Sequence, residues 1–321
     1  MTQINFFVPI QEYLDLVEYK MRTQSDGHHS ELGAALDHLL SSGGKRVRPA
    51  VALLTGNMLG ADTNRLVTLG AAIEMLHTAT LVHDDLIDGA LLRRGIATLN
   101  AQWSPAATVL TGDFVFAQAA KLAAETNSVP VIKLFAETLA VIVDGELTQM
   151  FTSRGIASKE DYYKRIYAKT ASMFELAAAA GAMLSPVNDK VINKMRRFGY
   201  QIGMAFQIVD DILDFTGEQT TIGKPVASDL RQGLITLPAL NYIELYPDDK
   251  EMASIMEGRF CSDDRMDRLV NAIRKSGAIE LSISEARDYI DCSLETLEDQ
   301  PETLEKQALV ELARYIVYRD L

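Results

Sequence analysis

Apolar residues recur at three- and four-residue spacing along most of the chain, and this period predicts helices. Glycine and proline interrupt the pattern between the periodic segments, and no convincing run alternates in the way that a half-buried strand would. The pattern therefore predicts an all-α fold. The predicted helices cover residues 8–23, 30–40, 48–58, 64–88, 105–126, 129–151, 159–183, 187–216, 229–246, 263–275, 278–297 and 302–318.

An aspartate motif of the pattern Asp-Asp-apolar-apolar-Asp occurs twice, each time near the end of a long apolar predicted helix. The first and third aspartates are four residues apart, so they lie on one helix face and repel each other without a cation. Such spacing usually marks a solvated face, but the flanking Leu, Val and Ile residues make an uncompensated charge costly here. Clustered carboxylates favour Mg²⁺ over softer metals. The candidate metal ligands are Asp84, Asp85, Asp88, Asp210, Asp211 and Asp214.

Basic residues accompany both motifs, although the chain carries a formal net charge of −13. Three positive charges fall within four residues at Lys45, Arg46 and Arg48, next to glycines that allow the backbone to approach a ligand closely. Further basic residues are Arg93, Arg94, Lys169 and Lys224. Any one of them alone is most simply a surface charge. Together, on an acidic chain, they indicate binding of a diphosphate, since Arg offers paired contacts to phosphate oxygens and Lys a point charge.

Composition and charge limit the fold class, the ligand class and the cellular location that the chain can be expected to have. Hydrophobic residues make up 48% of the 321 residues and aromatic residues only 7%, as in helical cores. The acidic balance argues against nucleic-acid binding. No linker separates the two motifs, so residues 1–321 are predicted to form one domain. No apolar run reaches the roughly 18 residues of a transmembrane helix and no secretory signal is recognisable, so a cytoplasmic location is expected.

Several motifs closely resemble, in order and spacing, those of trans-polyprenyl diphosphate synthases. They are residues 43–49, residues 77–95, Gly145-Glu146-x-x-Gln149, Lys169-Thr170, residues 206–214, Gly223-Lys224 and residues 229–238. The resemblance implies a single helical bundle around a deep central cavity, usually as a homodimer. It also implies Mg²⁺-dependent, head-to-tail joining of isopentenyl diphosphate onto an allylic diphosphate. Leu91, Ala97 and Leu234 depart from the family pattern, but none of them replaces a residue assigned to the chemistry.

The resemblance also implies roles for individual residues. Asp84, Asp88 and Asp210 would hold the Mg²⁺ ions, and the other three motif aspartates would be further ligands or supports. The residues that would grip the allylic diphosphate are Arg93, Lys169 and Lys224, with Thr170 and Gln207 lining the reacting end. The residues that would hold isopentenyl diphosphate are Lys45, Arg48, His77 and Arg94. The catalytic group comprises Asp84, Asp88, Lys169, Asp210 and Lys224.

If the growing chain runs from the aspartates back along the predicted helix at 64–88, the side chains that precede the first motif set the product length. Ala79 and Thr80 lie about one turn before Asp84, where short-chain members of the family typically carry a bulky aromatic residue. Leu76, one turn further back, only partly obstructs, and Phe135 on a facing helix is a candidate floor for a deeper tunnel. Because each open turn adds about 5.4 Å of depth, we expect a product of about thirty to fifty carbons.

Three alternatives remain open at this point. The chain could be a short-chain farnesyl or geranylgeranyl diphosphate synthase, or a class I terpene cyclase, which needs no second diphosphate site. The cation set of Lys45, Arg48 and Arg94 argues against a cyclase. A third alternative, a non-catalytic subunit of a heteromeric synthase, would be expected to have lost aspartates, and both motifs are intact.

Overall fold

The computed structural model describes residues 6–41, 43–93, 95–151, 158–217, 226–259 and 262–318, and most of them are helical. The first helices are α1 (Gln11–Arg22), α2 (Ser30–Ser41), α3 (Val47–Met58) and α4 (Thr63–Ile87), followed by the strands β1 (Leu92–Arg93) and β2 (Ile96–Ala97). Next come α5 (Leu99–Gln102), α6 (Pro105–Glu125), α7 (Val129–Phe151), α8 (Lys159–Ile166), a π-helical turn (Tyr167–Ala171), α9 (Ser172–Met183) and α10 (Asp189–Thr216). The last helices are α11 (Ser228–Arg231), α12 (Leu237–Leu245), α13 (Lys250–Met256), α14 (Asp263–Lys275), α15 (Ala278–Glu295) and α16 (Leu304–Tyr318). The all-α prediction is therefore confirmed.

The chain divides into two compact units, each assembled from three separate stretches. Unit 1 comprises Met1–Thr138, Met173–Gly199 and Asp299–Glu311. Unit 2 comprises Leu139–Ser172, Tyr200–Glu298 and Leu312–Leu321. The first aspartate motif belongs to unit 1 and the second to unit 2.

Helix α4 forms the centre of unit 1. Its N-terminus is capped by Asp62, whose carboxylate accepts a hydrogen bond from the Arg65 amide at 3.0 Å. The helix is apolar on nearly every face and most of its residues are buried, as expected of a core helix. By length and composition this helix could also cross a membrane, but 83% of its most apolar 18-residue stretch is buried within the protein.

Small residues let the neighbouring helices approach α4 closely. A Cβ added to Gly112 of α6 would lie 2.3 Å from His83 Nε2, and one added to Gly56 of α3 would lie 2.2 Å from a Leu66 methyl group. Both distances are shorter than ordinary Cβ contacts, so a side chain at either glycine would force Leu66 or His83 to move. The first aspartate motif is therefore carried by a helix that is packed tightly on at least two sides.

The structure differs from the sequence prediction in several places, and the short helices α5 and α13 were not predicted at all. Strands β1 and β2 form a two-residue hairpin that the hydrophobic pattern did not indicate, because two residues are too few to show a period. The predicted helix at 229–246 is two helices, α11 and α12. The break follows from Gly233, whose φ of +80° ends the first helix, and from Pro238 in the first turn of the second.

Candidate active site

The first aspartate motif lies at the C-terminal end of α4. Asp84 is half-buried, Asp85 is buried, and Asp88 is exposed at the position that caps the helix. The last turn of a helix carries negative partial charge, so carboxylates are disfavoured there, and no basic residue occupies this last turn. Accumulated negative charge at such a position favours the binding of a cation.

Asp85 is held by an ion pair with Arg93. Arg93 Nη2 lies 2.7 Å from Asp85 Oδ1, and its Nε donates to both carboxylate oxygens at 2.9 and 3.1 Å. The hairpin explains this contact, because it turns the chain back just after the motif. Arg93, which we expected to grip the allylic diphosphate, is therefore attached to the motif through Asp85.

The described residues expected to hold isopentenyl diphosphate lie next to and in the first turn of α3 and in α4. Arg48 Nη1 lies 3.2 Å from His77 Nε2, and its guanidinium stands 5.0 Å from the centre of the Phe174 ring. Lys45 is exposed just before α3. The N-terminus of a helix attracts anions through its backbone N–H groups. Lys45, Arg48 and the start of α3 therefore together suit a diphosphate.

Arg46, between these two cations, has a different environment. Its backbone is left-handed, with φ of +46°, and its Nη1 donates to Glu74 Oε1 at 2.9 Å. Glu74 is a buried carboxylate on α4, one turn before His77. No role was predicted for Glu74, although a carboxylate one turn from His77 in an apolar run is a signal that could have indicated one.

The second aspartate motif lies in the last two turns of α10, again without a basic residue in the last turn. Asp210 is half-buried. Asp214 accepts hydrogen bonds from the Ser228 amide at 3.1 Å, the Ser228 hydroxyl at 2.8 Å and the Asp229 amide at 3.2 Å. Its carboxylate therefore joins the end of α10 to the start of α11.

Asp211 is the buried member of the second motif. Its Oδ1 accepts from Gln207 Nε2 at 2.8 Å, and its Oδ2 accepts from the Tyr162 hydroxyl at 2.7 Å. Burial raises the pKa of Asp211 to about 7, although both hydrogen bonds act in the opposite direction. Gln207 Oε1 in turn accepts from the Thr170 hydroxyl at 2.6 Å. The structure thus brings Thr170, Gln207 and Asp211 together, and it adds Tyr162, which sequence analysis missed.

Lys169 and Thr170 lie in the π-helical turn, a conformation that often occurs at functional sites. Lys169 Nζ pairs with Glu146 Oε1 at 2.8 Å. A Cβ added to Gly145 would lie 2.5 Å from the Ala168 Cβ, so only glycine allows α7 to approach this turn. These contacts give a physical reason for the Gly145-Glu146 pair that the sequence showed without a role.

The chain-length candidates all lie in the interior of unit 1. Leu76 and Ala79 are fully buried, and Thr80 and Phe135 are buried as well. The Thr80 hydroxyl donates back to the His77 carbonyl at 2.8 Å, so its hydroxyl is already hydrogen-bonded within the helix. No bulky side chain occupies positions 79 and 80.

Two predicted site residues, Arg94 and Lys224, lie outside the described residues. Within the described ranges, no group of three or more His, Cys, Asp or Glu side chains forms a preassembled metal cage. This does not conflict with Mg²⁺, which is usually held by one or two carboxylates together with water and substrate phosphates. The donor chemistry of both motifs, carboxylate oxygens at negatively polarised helix ends, fits such an ion.

An all-helical fold with two aspartate motifs at helix ends and cations suited to diphosphates defines an isoprenoid synthase. Comparisons with known proteins agree with this class and specify the family. The family model for polyprenyl synthetase matches residues 29–273. The chain therefore belongs to the polyprenyl synthetase family, and it is a prenyltransferase.

Individual relatives cover nearly the whole chain. Heptaprenyl diphosphate synthase component 2 of Geobacillus stearothermophilus is 35% identical over 313 residues, which are 97% of each chain. Octaprenyl diphosphate synthase of Escherichia coli is 34% identical over 285 residues, or 88% of each chain. The crystal structure of polyprenyl synthase from Caulobacter crescentus, complexed with calcium and isoprenyl diphosphate, superposes with a TM-score of 0.92 at 34% identity. That superposition covers 98% of this chain and 97% of that one.

Proposed function

We propose that this prenyltransferase uses Mg²⁺ to join isopentenyl diphosphate head to tail onto an allylic diphosphate, giving a product of about thirty to fifty carbons. The observation that carries the proposal is the pair of aspartate motifs at the C-terminal ends of α4 and α10. At these positions carboxylates are disfavoured unless a cation binds. The calcium ion and isoprenyl diphosphate bound by the Caulobacter relative support a divalent cation and this substrate class.

Among the aspartates, Asp84, Asp88 and Asp210 are proposed to hold the metal. Asp85, Asp211 and Asp214 are proposed as supports, because their carboxylates already accept hydrogen bonds from other groups of the protein. When bound, Mg²⁺ supplies neutralisation of the charge that develops on the leaving diphosphate. The supports hold the helix ends in shape, so that the metal-binding carboxylates stay oriented.

Basic residues are proposed to position the two substrates. Arg93, Lys169 and Lys224 grip the allylic diphosphate, with Thr170 and Gln207 at its reacting end. Isopentenyl diphosphate is held by Lys45, Arg48, His77 and Arg94. The allylic C–O bond breaks and its electron pair leaves on the diphosphate. The isopentenyl double bond supplies the electron pair of the new C–C bond, and a proton is then lost to the released diphosphate.

The proposed product length rests on α4. Ala79 and Thr80, one turn before Asp84, are small, so a growing chain that runs back along α4 meets no block at the first turn. Leu76 obstructs only partly, and Phe135 is the proposed deeper floor. The names of the heptaprenyl and octaprenyl relatives support a product of this class over farnesyl or geranylgeranyl diphosphate.

A homodimer in the cytoplasm is the proposed state of the enzyme. Helix α7 exposes the apolar side chains of Val143, Leu147 and Met150, which are 47%, 47% and 57% exposed, at a spacing that places them along one side of the helix. This apolar side of α7 is the proposed interface with a second copy of the chain. The name of the Geobacillus relative, which is one component of a synthase, supports a different subunit as the alternative partner at this interface. Light scattering of the purified chain distinguishes a self-associated form from a monomer that awaits another subunit.

One incubation tests the proposed function against its alternatives. The purified chain is mixed with radiolabelled isopentenyl diphosphate, farnesyl diphosphate and Mg²⁺, and the products are sized by chromatography. We expect extended diphosphates of about thirty carbons or more. A cyclised hydrocarbon would indicate a terpene cyclase, and a product of twenty carbons would indicate a geranylgeranyl diphosphate synthase. If no product forms, a second incubation with dimethylallyl diphosphate as the primer separates a farnesyl diphosphate synthase, which then makes fifteen carbons, from a non-catalytic subunit.

A further inference from the structure

A chain of three hydrogen bonds in unit 2 connects a buried tyrosine to the reacting end of the proposed site. Tyr162 donates to Asp211, Gln207 donates to the other oxygen of Asp211, and Thr170 donates to Gln207, at 2.7, 2.8 and 2.6 Å. We propose that Tyr162 is a positioning residue, whose hydroxyl orients Thr170 and Gln207 through Asp211. This inference rests on the proposed role of Thr170 and Gln207 at the allylic substrate.

The hydroxyl of Tyr162 holds one oxygen of the carboxylate on which the rest of the hydrogen-bond chain depends. The Tyr162 hydroxyl lies 2.7 Å from Asp211 Oδ2, which accepts its hydrogen bond. The other oxygen of Asp211, Oδ1, accepts from the amide N–H of Gln207 at 2.8 Å. The amide oxygen of Gln207 must then face Thr170, which fixes the hydroxyl proton of Thr170 as well. The remaining lone pairs of Thr170 are left in a defined direction.

Tyr162 is itself held firmly in place. Its side chain is 1% exposed, and the guanidinium of Arg165 stands 5.5 Å from its ring centre while donating to the Ile235 carbonyl at 2.8 Å. Ser158 caps the start of α8 by accepting from the Asp161 amide at 3.1 Å. A rigid donor on a capped helix can orient a carboxylate more precisely than water can, because it has no freedom to reorient.

The neighbouring tyrosine provides a matched control. Tyr163 lies on the same helix, and its hydroxyl donates to Glu285 of α15 instead of to the aspartate motif. Tyr162→Phe and Tyr163→Phe each remove one hydroxyl that donates to a carboxylate and keep the ring. A general effect of losing such a bond would appear in both variants, whereas a positioning effect should appear only in Tyr162→Phe.

We expect Tyr162→Phe to lower kcat roughly ten- to a hundred-fold, the usual effect of losing one hydrogen bond to a charged group, with little change in the KM for isopentenyl diphosphate. Tyr163→Phe should change kcat by less than about three-fold. A double-mutant cycle with Thr170→Val tests whether the two residues are coupled, because the described hydrogen bonds connect Thr170 to Tyr162 through Gln207 and Asp211. If they act as one unit, the double variant should lose little more than the worse single variant.

A crystal structure of Tyr162→Phe supplies a readout that does not depend on activity. We expect the side chain of Asp211 or the amide of Gln207 to be reoriented in that variant. Unchanged hydrogen bonds from Thr170 to Gln207 and from Gln207 to Asp211 would overturn the inference, and so would equal kcat losses in the two tyrosine variants. A wild-type chain that makes no product would refute the proposed function instead, and the crystal structure would still decide what Tyr162 orients.

Discussion

Asp84 and Asp210 are the residues on which the proposed chemistry depends most directly. Both lie within the last two turns of long helices, and each has a neighbouring aspartate whose carboxylate is engaged by another side chain of the protein. The neighbours Asp85 and Asp211 are therefore part of the structural framework. Within each motif, the adjacent aspartates thus have different environments. Asp85 and Asp211 are buried, whereas Asp84 and Asp210 are half-buried.

We expect Asp84→Ala and Asp210→Ala each to reduce turnover at least a hundred-fold, because each removes a proposed metal carboxylate without removing a packed side chain. Far-UV circular dichroism should stay unchanged. Asp291→Ala, at an exposed position of α15, serves as the control and should keep full activity. Retention of more than about a tenth of the wild-type rate in both variants, a loss below ~1.4 kcal/mol, would contradict the metal assignment.

The ion pair between Arg46 and Glu74 is a residue-scale feature that stabilises the proposed isopentenyl diphosphate site. Glu74→Gln should lower the free energy of unfolding by about 3 kcal/mol, since a largely buried charge on Arg46 would lose its partner. The exposed pair of Glu18 with Arg22 gives a control, and Glu18→Gln should cost no more than about 1 kcal/mol. Urea denaturation measures both. Equal losses of unfolding free energy in the two variants would show that burial does not strengthen the pair of Arg46 with Glu74.

At the scale of elements, the contact between α7 and the π-helical turn positions Lys169 and Thr170. Gly145→Ala should displace this turn, because the new methyl group would lie 2.5 Å from the Ala168 Cβ. We expect a loss of about 1–3 kcal/mol in stability and a clear fall in kcat. Gly33→Ala in α2 is the control, since its Cβ would meet only the Ser25 hydroxyl at 3.6 Å, and it should be neutral or stabilising. An active, fully stable Gly145→Ala variant would refute this role of the turn.

Helix α4 is the element proposed to set product length. Replacing Ala79 by Phe should shorten the product to about fifteen or twenty carbons, because a ring at a fully buried position one turn before Asp84 would block the growing chain. Replacing Ala71, a fully buried alanine two turns further back, by Phe is a control for overpacking of the same helix. Chromatographic sizing of the products checks the expectation. An unchanged product distribution in Ala79→Phe would mean that the chain does not grow along α4.

For the whole molecule, the question is whether the two compact units unfold together. Each unit is built from three separate stretches, so the chain passes repeatedly from one to the other and neither unit is a continuous segment. We therefore expect one cooperative transition in scanning calorimetry, as a single domain would give. Two resolved transitions would contradict the one-domain prediction.

The periodic pattern of the sequence was sufficient to predict the helical fold and the position of both aspartate motifs near helix ends. Helical periodicity is a local property, repeated every three or four residues, and residues 64–88 and 187–216 show it over many turns. The motifs are also local, so their carboxylate spacing could be read directly. The hairpin at Leu92–Ala97 and the break at Gly233 were missed because they are too short to show a period.

Only the tertiary structure decided which residues support these motifs. Arg46 and Arg48 are two residues apart in one basic run, yet Arg46, whose backbone is left-handed, pairs with Glu74, whereas Arg48 contacts His77. Tyr162 and Asp211 are likewise far apart along the chain and meet only in the folded unit. Such contacts depend on how helices pack, and packing has no signature in the spacing of residues along a single segment.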